Sequence, residues 1–209
     1  MKKTWLLGLM LLAVEIVIIA ILIPGDYTGK TINKELAMIE RSLGAETLEW
    51  VKGQSQEWYV ATMLETGIKD GMYYTLIPTE EQKAKSTGLE TFGDWWFDLA
   101  ADRIDSLMLV IQQLYLRVAL LVVWAPYVLL LLIPAIFDGV MTWKIKATNF
   151  DYASPVKHRY SARVFGFTLL GMLMMFLLPL PVPPSVIPIA LMVMCIAIGL
   201  MVGNYQKRI

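Results

Sequence analysis

Four long runs of apolar residues dominate the pattern of hydrophobic and polar positions along the chain. They cover residues 5–23, 118–137, 164–180 and 186–203. Each run is close to the roughly 20 residues that an α-helix needs to cross a hydrocarbon core of about 30 Å. The pattern therefore predicts an all-α membrane protein with four transmembrane helices.

The long segment between the first two apolar runs has the pattern of amphipathic helices. Apolar side chains recur there at intervals of three or four residues, first at Ile32, Leu36, Ile39 and Leu43. Gly44 interrupts this stripe, a second stripe begins at Leu48, and the spacing predicts two helices joined at the glycine. A further helix is expected over residues 94–113 and should run straight into the second span.

These patterns divide the chain into five predicted segments. Residues 1–23 form an N-terminal membrane anchor helix, and residues 24–113 form a helical periplasmic domain. Residues 114–137 are the second transmembrane helix, and residues 138–163 are a cytoplasmic loop. Residues 164–209 form a transmembrane helical hairpin with a short cytoplasmic tail.

The orientation follows from the uneven distribution of charge, although the 18 basic and 18 acidic side chains cancel. Residues 24–113 contain fifteen acidic and eight basic side chains. Basic residues flank the spans at Lys2 and Lys3, at five positions in 138–163, and at Lys207 and Arg208. Because short basic flanks stay in the cytoplasm, the chain should lie in the bacterial inner membrane with both termini cytoplasmic and residues 24–113 exported.

The first apolar run is interpreted as an uncleaved anchor rather than a signal peptide. It has 19 residues and no small-x-small pattern at its end, whereas a signal core has about 7 to 15 residues followed by such a pattern.

Residue types needed for catalysis are missing from the predicted periplasmic domain. His158 and Cys195 are the only residues of their kinds in the chain, and both lie outside residues 24–113. A His/Cys zinc site or a Cys-His dyad therefore cannot form in that domain. The chain also has no GxxxxGK[ST] or GxSxG motif, and its four apolar runs contain no aspartate. We predict no enzymatic activity, no cofactor and no metal.

Glu15 is the one acidic side chain inside a predicted span. An unpaired carboxylate in a membrane costs at least a few kcal/mol, so it requires a partner or a function. Three explanations remain: an ion or proton path, a buried partner such as Arg117, or contact with another membrane protein. Arg117, at the membrane entry of the second span, is otherwise expected to extend its guanidinium group to the lipid headgroups.

The predicted cytoplasmic loop combines basic with aromatic residues. Orientation alone requires only the bases, whereas aromatic side chains interleaved with Arg are typical of interface anchors. The candidate partner-binding residues are therefore Trp143, Phe150, His158, Arg159 and Tyr160, together with Glu15 in the first span.

The same loop carries a resemblance to a known group of proteins, through Asp138-Gly139, Lys144 and Lys146, and the segment FDYASPVKHRYSAR at 150–163. With the N-terminal anchor, the exported segment and the C-terminal span pair, the chain resembles small inner-membrane proteins of conjugative plasmids and integrating conjugative elements. In some systems these are the TraJ-type partners of the type IV coupling protein, the ATPase that brings DNA to the secretion channel.

The resemblance implies a non-enzymatic subunit of a conjugative DNA-transfer system. Its expected partners are the coupling ATPase, other membrane proteins of the conjugation channel and membrane lipid, in a hetero-oligomer and without direct sequence-specific binding to nucleic acid. Two alternatives stay open: a small transporter or ion-conducting subunit that uses Glu15, and a regulator of envelope proteolysis.

Overall fold

The described part of the protein is entirely helical. A computed structural model describes residues 2–77, 90–149 and 151–205, with side chains described except at 2–5, 7, 20, 76 and 90–98. The α-helices are α1 (Lys2–Leu22), α2 (Gly25–Leu43), α3 (Ala45–Tyr59), α4 (Ile68–Leu76), α5 (Glu90–Thr148), α6 (Pro155–Leu177) and α7 (Val186–Gly203), and a π-helical stretch, Val60–Leu64, follows α3. Within these residues there is no strand, so the predicted all-α class is confirmed.

The helices of the N-terminal half end where proline and glycine occur in the sequence. Pro24 is extended, with φ −75° and ψ 148°, and separates α1 from α2. Gly44 lies at φ 89° between α2 and α3, and Gly67 at φ 70° precedes α4. Glycine adopts such positive φ angles without the steric cost that a Cβ brings. The predicted break at Gly44 is therefore observed.

The chain forms two compact units. The first contains Met1–Ala119 together with Phe176–Val182, and the second contains Leu120–Met175 and Pro183–Ile209. Helix α5 is continuous through the predicted boundaries at 113 and 137. No glycine or proline lies near 113, and at 137 the helix continues although it contains Pro126 and Pro134. The segment predicted as a domain of its own, 24–113, thus belongs to a larger unit.

In the first unit, α2 runs parallel to α5. Near its start, Gly25 approaches Ser106, and ten residues later Glu35 contacts Arg117. The buried face of α2 consists of Thr28, Thr31, Glu35 and Ile39. Of the predicted stripe, Ile39 is buried and Ile32, Leu36 and Leu43 are half-buried. The most buried face is shifted by about one residue and brings Glu35 to Arg117 on α5.

The hydrophobic core of the first unit lies where α4 and the end of α3 meet α5. Tyr59, Ile104 and Met108 are buried there, and Met63, Met72 and Tyr73 are among the side chains that pack on them. Thr62 Oγ1 and the Tyr115 hydroxyl are 2.7 Å apart at the edge of this core. Tyr59 and Tyr73 thus contribute to the packing of this core.

In the second unit, α5 and α7 pack through small residues. A Cβ on Gly139 would lie 2.7 Å from the carbonyl oxygen of Gly199, and one on Gly199 would lie 2.9 Å from that of Ala135. Gly203 packs against Thr142 in the same way. Small residues spaced four apart on both helices let the backbones approach closely, as in many membrane helix pairs.

Three helices have the length and composition to cross a membrane, against the four predicted. The stretches are Leu99–Thr148, Pro155–Leu177 and Val186–Gly203, whereas the described part of α1 supplies the shorter apolar stretch Gly8–Ile19. Among the described side chains of α5, the exposed large apolar ones extend from Val122 to Ile145, which is about 35 Å of helix and matches a hydrocarbon core of about 30 Å. Residues 99–119 of α5 lie in the first unit.

The ends of α1 and α6 contact α5 at different positions. Arg103 donates from Nη1 to the carbonyl oxygen of Ile23, just after α1, at 3.0 Å. Arg117, which contacts the end of α6, lies fourteen residues farther along α5, or about 21 Å at the rise of an α-helix. The ends of α1 and α6 therefore lie at different levels along α5.

The predicted loop 138–163 is mostly helical. Helix α5 continues to Thr148 and α6 begins at Pro155, so the connection between them is only 149–154. The cytoplasmic location of this segment stays a prediction.

Candidate functional site

Arg117 is the centre of a buried polar cluster in the first unit. Its Nε and Nη2 atoms donate to Oε1 of Glu35 at 3.2 and 2.5 Å. The backbone N–H of Val182 donates to the same carboxylate oxygen at 2.9 Å. Both charged residues are only 2% exposed. We call Glu35, Arg117 and their backbone partners in 176–182 the Arg117 cluster.

The guanidinium group also binds the backbone at the end of α6. Nη1 donates to the carbonyl oxygens of Phe176, at 3.0 Å, and Leu178, at 2.8 Å, and Nη2 donates to that of Leu180 at 2.6 Å. Carbonyls at a helix C-terminus lack intrahelical partners and carry partial negative charge, so a cation there is stabilising. Arg117 thus fixes the turn that follows α6 against α2 and α5.

The sequence analysis placed Arg117 at the lipid headgroups or beside Glu15, and both expectations were wrong. Arg117 is buried against protein because Glu35 and the α6 carbonyls replace its hydration. Glu15 is 7% exposed, and its Oε2 accepts no hydrogen bond within the described residues. The carboxylate that pairs with Arg117 is that of Glu35.

Other buried polar atoms lie along α2 and α5 beside the Arg117 cluster. Within the described residues, Oε2 of Glu35, Oγ1 of Thr28 and both amide atoms of Gln113 have no hydrogen-bond partner. Gln113 precedes Arg117 by one helical turn. Each buried polar atom that stays without a hydrogen bond lowers the free energy of unfolding by roughly 1–3 kcal/mol.

A second, more exposed ionic contact joins α4 to α5 in the same unit. Lys69 Nζ lies 3.6 Å from Asp105 Oδ1. Burial, a hydrogen bond with Asp105 and the charges of Asp105 and Asp102 raise the pKa of Tyr73 to about 12. Tyr73 therefore stays protonated and acts as a hydrogen-bond donor at neutral pH.

The second unit has a polar cluster at the end of α7. Lys146 Nζ donates to the Gly203 carbonyl oxygen at 3.1 Å and to Asn204 Oδ1 at 2.9 Å. His158 Nδ1 lies 2.9 Å from the Met201 carbonyl oxygen, and because a carbonyl only accepts, that nitrogen carries the proton. The His158 ring also contacts Tyr205 edge-on. His158 thus holds α6 to α7.

The predicted partner-binding residues are only partly brought together. His158, Arg159 and Tyr160 lie in the first turns of α6, where Arg159 and Tyr160 are exposed. Trp143 is half-buried on α5. Glu15 belongs to the first unit, and Phe150 lies outside the described residues.

The Glu35–Arg117 pair was missed by sequence reasoning. Glu35 lies among exposed acids in an acidic segment, and its partner is 82 positions away. One signal was present: Thr28, Thr31, Glu35 and Ile39 share a helical face, and a charged residue on a face that is otherwise buried requires a partner.

The hydrogen bonds of these clusters hold helix ends in position. Among the described residues, no group of three or more His, Cys, Asp or Glu side chains could hold a metal ion. The fold and its polar contacts define a helical membrane protein in which basic residues of one long helix bind the ends of three others.

Comparison with known families identifies the lineage of this chain. It belongs to the DtrJ-like family, described as IncC plasmid conjugative DNA transfer protein DtrJ-like, which it matches over residues 30–207. The predicted resemblance to membrane proteins of conjugative elements is thereby confirmed. No curated protein and no solved structure matches the chain.

Proposed function

We propose that this protein is a non-enzymatic inner-membrane subunit of a type IV secretion system for conjugative DNA transfer, and that it binds the coupling ATPase. Membership in a family of conjugative DNA transfer proteins is the observation that carries this proposal. The coupling ATPase is the partner because it joins DNA to the channel at the inner membrane, where three apolar helices can hold this chain.

Contact with the ATPase is proposed through the transmembrane helices and through the connection between α5 and α6. Exposed Tyr152, Arg159 and Tyr160 support this assignment, because exposed aromatic and Arg side chains are typical anchors. Trp143 and Phe150 complete the proposed surface. His158 is assigned to the intramolecular contact with α7 instead. Glu15 is proposed to contact a membrane helix of the partner, since its Oε2 has no hydrogen bond within the described residues.

The partner assignment is tested by affinity purification of the full chain from conjugating cells in mild detergent, followed by mass spectrometry. The coupling ATPase should be recovered in amounts comparable to the tagged protein. Recovery of other channel components without the ATPase would contradict this assignment and leave the family membership unaffected.

Replacing Trp143 and Phe150 together with Ala should reduce recovery of the ATPase and lower the frequency of DNA transfer. Each buried aromatic anchor contributes roughly 2 kcal/mol or more to an interface. Tyr74→Ala is the matched control, because this ring is exposed on α4 and far from 138–163 in sequence. Normal protein abundance with undiminished ATPase recovery from the double variant would exclude the docking role.

The proposed orientation places both termini in the cytoplasm, residues 24–113 in the periplasm and α1 across the membrane as a fourth span. The crossing of α1 rests on its apolar composition and on Lys2 and Lys3 at its start. Reporter fusions after Leu89 should be active only as exported reporters, and fusions after Ser154 and at the C-terminus only as cytoplasmic ones. A cytoplasmic signal at Leu89 would overturn this orientation.

A further inference from the structure

The first half of α6 exposes a mixed stripe of side chains to the surroundings of the second unit. Val156, Tyr160, Arg163 and Phe167 follow one another at intervals of four, three and four residues, so they share one face of the helix. All four are exposed, Tyr160 by 60% and Phe167 by 57%. The opposite face packs inward through His158 and buried Ser161.

Arg163 is a charged residue inside a face that is otherwise suited to lipid. His158, five residues earlier, binds the end of α7 beside Lys146. Arg163 therefore lies about 7.5 Å farther toward the middle of α6. Exposed Val164 and Phe167 follow it on the same side. A guanidinium group at this depth extends back toward the headgroups while its carbon stem stays among apolar atoms.

No carboxylate neutralises Arg163 in the part of the chain that the structure describes. Its guanidinium carbon lies 5.5 Å from the centre of the Tyr160 ring, which orients the group without cancelling its charge. The nearby bases Lys157 and Arg159 are also exposed. Residues 138–163 hold five basic side chains and only two acidic ones, Asp138 and Asp151. The exposed bases at this site are therefore open to an anionic ligand.

We propose that Arg163 and Tyr160 form a binding site for one anionic phospholipid in the leaflet at the start of α6. The planar guanidinium group binds the lipid phosphate through paired hydrogen bonds. The Tyr160 ring packs against one face of the guanidinium group. The acyl chains of the lipid lie along Val164 and Phe167. The surplus of bases selects anionic over zwitterionic headgroups.

Lipid is favoured over a protein partner because the charged group and the apolar groups are continuous along one exposed face. A phosphate with two hydrocarbon chains matches both parts of that face. A soluble acidic peptide would match Arg163 but leave Val164 and Phe167 without an apolar partner. Tyr160 is shared with the proposed ATPase surface, but the test uses the protein without the ATPase, so its outcome does not depend on that contact.

The test uses the full-length protein reconstituted in nanodiscs of phosphatidylcholine with a minor fraction of phosphatidylglycerol. After release into mild detergent, native mass spectrometry counts the phosphatidylglycerol that stays bound. Arg163→Gln should reduce its retention about fivefold relative to phosphatidylcholine, the factor that one basic residue near an anionic surface typically supplies. Arg159→Gln is the matched control on the same helix and should retain most of the lipid. Tyr160→Leu, which keeps an apolar side chain, should give an intermediate loss.

Three outcomes would overturn the proposal. Equal retention by Arg163→Gln and the unchanged protein would exclude Arg163 as a ligand. If Arg159→Gln and Arg163→Gln lost equal amounts of phosphatidylglycerol, the lipid would bind to a diffuse basic surface and not to a defined site. Displacement of phosphatidylglycerol by millimolar inorganic phosphate would exclude a contribution from the acyl chains. Thermal unfolding of each variant in detergent verifies that the compared proteins are folded.

Discussion

Replacing Arg117 with Met is expected to lower the free energy of unfolding by about 3–5 kcal/mol. The substitution keeps much of the side-chain volume but leaves Glu35 charged, buried and bound only to the N–H of Val182. It also removes the donor for the carbonyl oxygens of Phe176, Leu178 and Leu180. The midpoint of thermal or denaturant unfolding in mild detergent, together with the amount of protein in membranes, measures the loss.

Two further variants separate the buried pair from a general effect of removing charge. Lys52→Met removes one member of an exposed pair, with Lys52 Nζ 4.0 Å from Glu49 Oε1, and should change the stability by less than about 1 kcal/mol. The double variant Glu35→Leu with Arg117→Met should be less destabilised than the sum of its single variants, since it leaves no uncompensated charge. If Arg117→Met unfolds no more readily than Lys52→Met, the cluster has no structural importance.

The second large effect is expected at the contact between α5 and α7. Gly139→Ala should destabilise the protein by about 1–3 kcal/mol or more, because the added Cβ would lie 2.7 Å from the Gly199 carbonyl oxygen. Backbone atoms of a helix cannot move aside as a flexible side chain can, so α5 and α7 must separate. Unfolding in detergent, followed by loss of the monodisperse peak in size-exclusion chromatography, reports this change.

Gly171→Ala is the matched control for that experiment. It makes the same chemical change in the neighbouring helix α6, where a Cβ would meet nothing within 4 Å. Alanine has the higher helix propensity, so this variant should be neutral or stabilised by up to about 1 kcal/mol. We therefore expect Gly139→Ala to lower the free energy of unfolding and Gly171→Ala to leave it unchanged or raise it. Equal effects would show that close packing at Gly139 does not limit stability.

Much of the second unit could be predicted from the order of residues alone. Apolar runs long enough to cross a membrane are local properties, and α5, α6 and α7 contain three of the four predicted runs. Helix ends were also predictable where the cause is local, as at Gly44, whose φ of 89° favours glycine. The family resemblance depended on a further local signature in residues 138–163.

The Arg117 cluster could not be predicted because its partners are far apart in the sequence. Glu35 and Arg117 are 82 positions apart, and Val182 is 147 positions from Glu35. Hydropathy treats Arg117 as a charge at the border of a span, for which lipid headgroups are the default partner. Only the parallel packing of α2 on α5 brings Glu35 to it. The same packing shifts the most buried face of α2 by about one residue from the predicted stripe.

The bond between Glu35 and Val182 sets an order of events during synthesis of the chain. Residues 24–113 leave the ribosome early, yet the unit to which they belong is completed by Arg117 and by the turn at Phe176–Val182. Before Val182 has been synthesised, Glu35 can bind only Arg117, and Arg117 lacks the carbonyl oxygens of Phe176, Leu178 and Leu180. A truncated gene ending before residue 176 would therefore produce residues 24–113 without their final contacts, even though every residue of that segment had been translated.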